Sequence, residues 1–384
     1  MHNPLILNTC YNPTVMNIAV FYHLPFGGAK RVVGEHVGGL IALGHVVDVY
    51  SINREEDMFD PNAVSTNSYN FSFITSSLSI PLLGRLIKDL QIFTSLRSLH
   101  KKIAKEIDAR EYDVVLVHTD TYTQSPYLLH YLKTNNVYFC LEPLRIVYEY
   151  SLRIPASLHG LNKVYEIITR HIRKRIDRAN ARSAKHSLAL SYFGREYMIH
   201  AYNLYPKISY LGVNEKLFKS TGAKRKKQIL FVAEKEYIYG YDLAKKALEL
   251  IPKSKRPELK MVFGTKRTQR ITDQELVQMY SESIATLSLS RYDTFGLVPL
   301  ESMACNTPVI ALNVAGYRET IINDKNGYLV DFDPQEIADR IEYLIDNPEE
   351  VERLGKEGRR WVTDRWTWGI QVNNLEKLLG SYVS

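Results

Sequence analysis

Runs of apolar residues alternate with amphipathic stretches along almost the whole chain, and this pattern predicts short buried strands separated by helices. The predicted strands of the first half are residues 16–22, 46–52, 113–118, 136–141 and 187–191, and those of the second half are residues 228–233, 259–264, 284–290, 308–312 and 327–332. Strands that alternate with helices form parallel sheets covered by helices on both faces, so the sequence predicts the α/β class.

A polar, basic stretch with little periodicity, residues 214–228, separates the two series of strands and is predicted to be a linker. A chain of 384 residues also exceeds what one core holds comfortably. We therefore expect two doubly wound, Rossmann-like domains. Open α/β sheets bind ligands at the carboxyl ends of their strands, so two such sheets facing each other would enclose a central cleft.

The first fifteen residues are rich in turn formers and precede the first predicted strand, so we expect them to form an extension outside the core. The last twenty residues have an amphipathic pattern that predicts a helix. The predicted segments are the extension 1–15, a first domain 16–210, a second domain 211–364 and the final helix 365–384.

Composition and charge limit the cellular compartment and the kinds of partner that we expect for the protein. No apolar run approaches the roughly 20 residues of a membrane span, and no leader of charged, apolar and small residues opens the sequence, so we expect a cytoplasmic protein. The three cysteines lie far apart and support neither a disulfide framework nor a zinc site. A formal net charge of +7 suits polyanions or acidic membrane surfaces without choosing between them.

Two basic amphipathic stretches stand out in the first half. Residues 151–187 contain nine Lys or Arg against only Glu166 and Asp177, with apolar residues at helical spacing. Residues 81–107 share this pattern. Each stretch fits either a helix with a solvated basic face over a core or an interfacial helix beside anionic lipid.

Two acids, Asp293 and Glu301, flank a predicted helix start. Gly296 permits close approach of the backbone to a ligand, and Pro299 suits the first turn of a helix, so we expect a helix to begin near Leu297. Its free N–H groups would attract a phosphate, while Glu301 would accept hydrogen bonds from ligand hydroxyls. A buried helix with a capping acid explains the same residues without a ligand.

Further candidates lie at other predicted strand ends. Gly27 and Gly28 follow the first strand, where glycine lets backbone N–H groups face a phosphate or a sugar, although a plain tight turn needs them equally. His118 is predicted to end a strand and to project into the cleft, and a structural histidine is the alternative. Glu142 and Arg145 follow another strand and are candidates for acceptor contact.

Residues 16–384 resemble the family-4 retaining glycosyltransferases of the GT-B fold. The resemblance is carried by GGAKR at 27–31, by YLGVNEKLF at 210–218 and above all by residues 293–331, which are similar to the family's E-x7-E nucleotide-sugar region and its glycine-rich continuation. It implies two Rossmann-like domains facing a cleft, with the final helix crossing back onto the first domain.

The resemblance also implies roles for individual residues. Asp293 would contact hydroxyls of the donor sugar, Glu301 the ribose of the nucleotide, and His118 the donor sugar or the acceptor. The donor-binding residues implied by the resemblance, or proposed from nearby charge, are Gly27, Gly28, Lys235, Lys266, Arg267, Thr294, Phe295, Gly296, Leu297, Val298 and Glu301.

Three departures from the family pattern affect the donor site. Asp293 stands where the family has glutamate, which shortens its reach by one methylene. Glu234 and Tyr239 stand where the family offers an arginine and a lysine to the diphosphate, and a carboxylate there would repel it. Lys235, or the Lys266–Arg267 pair, is predicted to supply the cation instead. The segment before residue 271 is also short, which indicates that a strand and a helix usual in the family are missing.

The resemblance implies an enzyme that moves a sugar, with retention, from a nucleoside diphosphate sugar to a hydroxyl of a glycan, lipid-linked or protein-linked acceptor. No cofactor is predicted, and no metal ion is needed if backbone amides and cationic side chains neutralise the leaving diphosphate. The only D-x-D sequence, Asp331 to Asp333, is predicted to form a loop and not a metal site. The basic helices favour a site of action at the inner face of a membrane.

Four other functions remain as alternatives at this point. A catalytically silent binding or partner subunit would explain Glu234 and Tyr239 together. A nucleic-acid partner rests on the basic charge balance alone. A sugar-nucleotide epimerase would share the fold, and a glycosidase is disfavoured because the acids read better as hydroxyl binders. Neither the nucleotide, the sugar, the acceptor nor the oligomeric state is predicted.

Overall fold

The computed structural model describes residues 15–76, 80–149, 154, 157–262 and 271–383. Nearly all of the predicted extension, residues 1–14, therefore lies outside the described residues. The strands are β1 (Asn17–His23), β2 (Val46–Ile52), β3 (Asn67–Phe71), β4 (Val114–Asp120), β5 (Asn136–Cys140), β6 (His186–Ala189), β7 (Lys207–Ile208), β8 (Gln228–Val232), β9 (Glu258–Val262), β10 (Ala285–Ser288), β11 (Val309–Leu312) and β12 (Tyr328–Val330).

Helices connect these strands. They are α1 (Gly28–Ala42), α2 (Pro81–Gln91), α3 (Arg97–Asp108), α4 (Arg145–Tyr148), α5 (Gly160–Arg182), α6 (Tyr192–Tyr202), α7 (Tyr241–Leu250), α8 (Asp273–Glu282), α9 (Leu297–Ala304), α10 (Tyr317–Thr320), α11 (Pro334–Asp346), α12 (Pro348–Arg365) and α13 (Trp368–Val383). A wider π turn, Ile92–Leu96, joins α2 to α3.

The strands form two parallel sheets, one in each half of the chain. The first has seven strands in the order β3-β2-β1-β4-β5-β6-β7, and the second has five in the order β12-β11-β10-β8-β9. The strand order reverses between β1 and β4 in the first sheet and between β8 and β10 in the second. Ligands of doubly wound sheets bind at the carboxyl ends of the strands near such reversals. The predicted α/β class with two Rossmann-like sheets is confirmed.

The central strands of the first sheet are almost completely buried. All seven residues of β4 are buried, as are six of the seven in β1. Strands that are covered on both faces carry nearly continuous apolar sequence, which is what these runs show. Apolar side chains of the two sheets form the core of each half together with the facing helices.

The final helix packs on the first sheet's side of the molecule. A backbone bridge joins Val213 to Thr367, and α13 then runs along α1. Val372 lies directly over Gly39, where an added Cβ would come within 2.7 Å of a Val372 methyl. Glycine at residue 39 therefore allows the two helices to approach each other closely.

The predicted linker, residues 214–228, contains no helix or strand before β8 begins at Gln228. It is nonetheless anchored, because Phe218 is buried and Arg225 donates to the backbone oxygen of Asn306 at 2.6 Å. The segment whose shortness was noted, residues 263–270, lies outside the described residues, as do Lys266 and Arg267. Among the helices of the described ranges, none is long and apolar enough to cross a membrane.

Candidate functional site

The loop between β10 and α9 is shaped by its own acid. One carboxylate oxygen of Asp293 accepts hydrogen bonds from the backbone amides of Phe295 at 3.0 Å and Gly296 at 2.9 Å. The other accepts from the Tyr317 hydroxyl at 3.2 Å. The shorter aspartate thus closes a tight turn at the carboxyl end of β10 and holds the chain as it enters α9 at Leu297. The helix start predicted from the sequence is confirmed.

Gly296 is required at this turn. Its φ of +97° lies in a region that favours glycine, and an added Cβ would come within 2.9 Å of the Tyr317 ring. The first amides of the eight-residue α9 follow directly. The turn therefore brings the N-terminal end of a helix to the cleft between the two sheets.

Glu301, the second acid, lies at the boundary between the two halves of the molecule. One carboxylate oxygen accepts from Arg31 Nη1 at 3.0 Å, and the other accepts from the Tyr280 hydroxyl at 3.1 Å. Burial raises the pKa of Glu301, while the positive charge of Arg31 opposes that shift. Because Arg31 belongs to α1 and Tyr280 to α8, this buried carboxylate bridges the two halves of the molecule.

Arg31 is held from several sides. Its guanidinium also pairs with Asp273 at the start of α8 and lies 4.3 Å from the centre of the Phe59 ring. A cavity of about 210 Å³ surrounds these groups, and its walls include Glu35 and Trp368. This volume is below the roughly 300 Å³ at which ligand pockets usually begin. Arg31 and Tyr280 each use one acceptor position of Glu301, and an ionised carboxylate has about four.

The loop before α9 also contacts the first half directly. The Thr294 hydroxyl donates to the backbone oxygen of Leu141 at 3.1 Å, and the Ser191 hydroxyl donates to the backbone oxygen of Thr294 at 2.5 Å. Phe295 is buried beneath the loop, whereas Leu297 and Val298 are half-buried. Of the residues predicted to hold the donor, Thr294 to Val298 therefore lie together in a loop that contacts the first half.

The predicted acceptor pair lies against the same loop. Arg145 binds the Glu142 carboxylate at 2.6 Å and reaches the backbone oxygen of Tyr292 at 3.4 Å. Burial raises the pKa of Glu142, and the neighbouring Asp293 adds to the shift while Arg145 opposes it. Glu142, Arg145 and Asp293 thus form one charged cluster that spans the two halves.

The placement predicted for His118 is wrong. Strand β4 continues for two residues past it and ends at Asp120, so His118 lies inside the strand and is fully buried. Its Nε2 lies 3.5 Å from Nδ1 of His36, and burial lowers its pKa well below the usual range, helped by His36. A role in sugar contact stays a prediction, and it would require His118 to become accessible.

The glycine turn after β1 remains open. Gly27 has a φ of +152° just before α1, and no atom lies within 4 Å of a Cβ added to Gly27 or Gly28. The next cation, Lys30, points away from this opening and pairs with Asp57 at 2.8 Å in a buried position. Lys235 is exposed, with its Nζ 6.0 Å from the centre of the Tyr241 ring.

Arg31, Asp273 and Tyr280 were not predicted from the sequence, although they hold Glu301. Arg31 belongs to the GGAKR motif and sits one turn into α1, which was the available signal. Asp273 lies inside a capping box formed by Thr272 and Glu275, a pattern that marks a helix start. Neither pattern predicts which side chains of the two halves come into contact with Glu301.

Two other features were considered as sites. An open cavity of about 770 Å³ lies beside the linker, at the amino ends of β8 and β10, and is lined mainly by residues between Ser220 and Lys227 and by the start of α12. In the D-x-D sequence, Asp333 caps α11 by accepting from the Gln335 amide at 2.9 Å. Within the described ranges, no group of three His, Cys, Asp or Glu is placed to hold a metal ion.

Comparisons with known sequences match the second half of the chain, which contains the loop before α9. Residues 264–361 match the family model described as glycosyl transferases group 1. The chain is 38% identical over 102 residues to a D-inositol 3-phosphate glycosyltransferase of Thermobifida fusca, covering 26% of this chain and 23% of that protein. It is 31% identical over 88 residues to an α-1,3/1,6-mannosyltransferase of Dictyostelium discoideum, covering 23% and 21%. The matched segments thus span about a quarter of these relatives.

Comparisons with solved structures extend over the whole molecule. A sucrose-phosphate synthase of Thermosynechococcus elongatus superposes with a TM-score of 0.71 at 19% identity, covering 95% of this chain and 98% of that one. The Anabaena protein HepE, solved with UDP and glucose, gives a TM-score of 0.67 at 16% identity, covering 95% and 100%. At this identity the likeness shows the fold, and the predicted GT-B arrangement is confirmed.

Proposed function

We propose that this chain, which has the GT-B fold, is a group 1 glycosyltransferase that transfers a sugar from a nucleoside diphosphate sugar to an acceptor hydroxyl. The observation that carries the proposal is the position of Glu301. It lies on α9, one turn from the helix start, and faces the opposite half of the molecule at 3.0 Å from Arg31. A carboxylate there is suited to accept hydrogen bonds from the two hydroxyls of a ribose.

The surrounding groups suit a diphosphate leaving group. The first amides of α9 and the open turn at Gly27 and Gly28 offer N–H donors from the two halves. Arg31 and Arg145 add positive charge nearby. Such donors stabilise the charge that grows on the leaving group. We therefore propose that no divalent ion is needed, and full activity after treatment with EDTA is the expected result.

The stereochemical course belongs to the same proposal. The similarity of residues 293–331 to retaining enzymes supports retention at the anomeric carbon. Proton NMR of the first product would show the same anomeric configuration as the donor. Inverted product would reject retention without rejecting sugar transfer.

A thermal-shift panel of nucleoside diphosphate sugars tests the donor. A ligand that binds only the native state at 100 times its Kd stabilises the protein by about 2.7 kcal/mol. We expect one donor to raise the Tm of the wild type and to leave the Tm of Glu301→Ala unchanged. Glu352→Ala is the matched control, because this glutamate is exposed on α12. Stabilisation of Glu301→Ala equal to that of the wild type would contradict the site assignment.

A catalytically silent binding subunit is the second candidate. It is favoured by the bond between Arg31 and Glu301, by the small cavity beside it, and by Glu234 and Tyr239 at the family's cation positions. An active enzyme releases nucleoside diphosphate slowly from its donor even without acceptor. Donor binding without any such release would favour the silent subunit.

We further propose that the acceptor is presented at an anionic membrane. Helices α2 and α5 are joined by Arg85 and Glu166 at 2.7 Å and by Arg173 and Asp89 at 2.5 Å. Both helices expose aliphatic side chains, and we call these residues together the α2–α5 face. These residues are Leu83, Leu86, Leu90, Leu161, Val164, Ile167, Ile168 and Ile172.

The charges around this face favour an anionic bilayer. Residues 151–187 carry nine Lys or Arg, whereas Glu166 is paired with Arg170 at 2.8 Å and Asp177 is fully buried. The accessible surface is therefore cationic around an apolar stripe. A helix of this kind lies in the interfacial plane of acidic lipid, with its apolar side chains among the acyl chains.

Sedimentation with vesicles tests this partner. We expect binding to phosphatidylglycerol vesicles and weak binding to phosphatidylcholine vesicles. Replacing Leu161 and Ile168 by glutamate should reduce binding at least about tenfold, because each buried aliphatic side chain contributes about 1.5 kcal/mol or more. Leu250→Glu is the control, since Leu250 is equally exposed on α7 of the other half. Equal binding of all variants would contradict the membrane proposal.

A further inference from the structure

Two side chains outside the donor site meet at the centre of the first sheet. His23 ends β1 and Asp120 ends β4, and the two strands are adjacent in parallel register with these residues opposite each other. Nδ1 of His23 lies 2.6 Å from one carboxylate oxygen of Asp120. The pair therefore stands at the carboxyl ends of the strands between which the strand order reverses, where doubly wound sheets bind ligands.

Asp120 is fixed as a charged hydrogen-bond acceptor. Its other oxygen accepts from the amides of Tyr122 at 2.8 Å and Thr123 at 2.9 Å. Burial alone would raise its pKa, but the interactions with His23 and with the nearby His100 hold the pKa well below its usual range. The side chain is fully buried, so its position is set by these partners.

A second histidine lies close to the same carboxylate. Nδ1 of His100 accepts from the Leu128 amide at 3.2 Å, so its proton must lie on Nε2 when the ring is neutral. That Nε2 lies 3.5 Å from the Asp120 oxygen that also faces His23. His100 Nε2 therefore lies near the charge of Asp120 without making a hydrogen bond to it.

The ionised Asp120 determines the state of His23. A carboxylate only accepts hydrogen bonds, so the bound Nδ1 carries the proton and a neutral His23 has its lone pair on Nε2. His23 is only 4% exposed, so an acceptor hydroxyl reaches Nε2 only when the loops at the strand ends move aside, as is also true of His118. The ring is held by the edge of Tyr122, whose ring centre lies 5.4 Å away.

The neighbours of the pair connect it to the cleft. His23 is followed within five residues by the open turn at Gly27 and Gly28. On the other strand, Gln124 donates to the backbone oxygen of Glu142 at 2.9 Å, which ties the loop after β4 to the Glu142 cluster. The pair is therefore linked through Gln124 to Glu142, whose partner Arg145 reaches the backbone oxygen of Tyr292 in the loop before α9.

We propose that Nε2 of His23 accepts a hydrogen bond from the attacking hydroxyl of the acceptor, and that Asp120 is a positioning residue that fixes the required tautomer. The inference rests on the proposed sugar transfer and assigns this strand-end pair to the acceptor hydroxyl. Water would occupy the same position during slow hydrolysis of the donor. Either stereochemical course needs the attacking oxygen to be held in place.

Hydrolysis of UDP-glucose, or of whichever donor stabilises the wild type in the panel, tests the proposal without a known acceptor. His23→Ala should lower kcat for hydrolysis about 10²-fold, as expected for a misplaced nucleophile, while the Kd for UDP stays within about twofold. His23→Gln keeps a hydrogen-bond acceptor and should recover part of the loss. His200→Ala is the control, because this histidine is exposed on α6.

Asp120→Asn tests the positioning role. Its side-chain amide can donate to Nδ1 of His23, which would move the proton to Nε2. We expect kcat to fall with an unchanged Kd for UDP, and nitrogen-15 NMR of the imidazole to report the opposite tautomer. If His23 and Asp120 had only a structural role, Asp120→Asn would not change both the imidazole tautomer and kcat for hydrolysis.

The outcomes separate the two proposals. If His23→Ala hydrolyses the donor at the wild-type rate and still binds UDP, the His23 inference is overturned and the proposed function still stands. A wild-type rate in Asp120→Asn with a reversed tautomer also overturns the His23 inference. Failure of the wild type to bind or hydrolyse every donor in the panel rejects the proposed function, and the inference falls with it.

Discussion

Helices α9 and α5 bury opposite kinds of residue. In α9, six of eight residues are buried, among them Leu300 and Met303, and the acid Glu301 is carried in with them. In α5, only four of 23 residues are buried, and two of these are Asp177 and Asn180. The aliphatic residues of α5 point outward instead. An apolar helix packed inside a domain fixes a polar group, whereas a helix held by polar contacts leaves its apolar side for another surface.

The contacts of α5 explain how it stays attached with so little apolar burial. Asp177 accepts from the Ser125 amide at 3.1 Å and from the Tyr202 hydroxyl at 2.8 Å. Asn180 donates to the backbone oxygen of Ser125 at 2.7 Å. Buried polar groups that are hydrogen-bonded in this way specify one arrangement. The exposed aliphatic side is therefore a lasting feature of the fold.

The largest expected effect comes from emptying the core beneath α9. Leu300 is fully buried among residues of the second half, and Leu300→Ala should lower the free energy of unfolding by about 2–5 kcal/mol. Urea denaturation measures the change. Leu300→Met is the matched control, since a swap of similar volume usually costs less than about 1.5 kcal/mol. Equal stability of Leu300→Ala and the wild type would show that α9 is not set by packing.

The next effect concerns the pair that joins the halves. Arg31→Ala and Glu301→Ala each leave a charged partner in a nearly buried site, so both should be destabilised. The double variant should be less destabilised than the sum of the two, by about 0.5–3 kcal/mol. A double-mutant cycle on urea midpoints measures this coupling. Strict additivity would mean that Arg31 and Glu301 do not interact in solution.

Most of the fold could be predicted because its signal lies in continuous apolar runs. All ten predicted strands are present, although their ends differ by a residue or more in most cases. The two strands that were missed have weak apolar signals. Strand β3, with the sequence NSYNF, has no buried residue, and β7 has only two residues. An edge strand needs pairing on one side only, so its sequence does not have to be apolar.

The site was less predictable, for a physical reason. Glu301 and the glycine turn follow from local sequence, because helix starts and tight turns have local signals. The partners of Glu301 come from α1 and α8, and their approach depends on how the two halves meet. His118 was placed at the strand end because the apolar run stops there, yet β4 continues through Thr119 and Asp120. When the last residues of a strand are polar, a pattern of apolar residues predicts the end of that strand too early.

A smaller effect is expected from the polar attachment of α5. Burial raises the pKa of Asp177 to about 7, above its usual value of 3.8. The folded protein therefore holds this proton more tightly than the unfolded chain, and the resulting stability is lost as pH rises through about 7. Asp177→Asn does not titrate there. Its Tm relative to the wild type should rise by a few °C between about pH 4 and pH 8.

Parallel scans of Tm against pH for the two proteins measure this difference. Asp324→Asn provides the matched control, because Asp324 is exposed in a turn of the other half and should give a difference that is nearly flat with pH. A flat difference for Asp177→Asn as well would mean that its carboxyl group titrates normally in the folded protein.

The smallest change in stability is expected for an exposed leucine of α5, which contrasts with the buried Leu300 of α9. Leu161 is 75% exposed on α5, so Leu161→Ser removes little buried surface and should change the free energy of unfolding by less than about 0.5 kcal/mol. Leu300→Ser, the same substitution in α9, should cost at least as much as Leu300→Ala because it also buries a hydroxyl. Urea denaturation of both serine variants gives the contrast directly. A loss of more than about 1 kcal/mol in Leu161→Ser would mean that α5 is covered in solution by another part of the protein or a second copy, and the α2–α5 face would then not be free to meet a membrane.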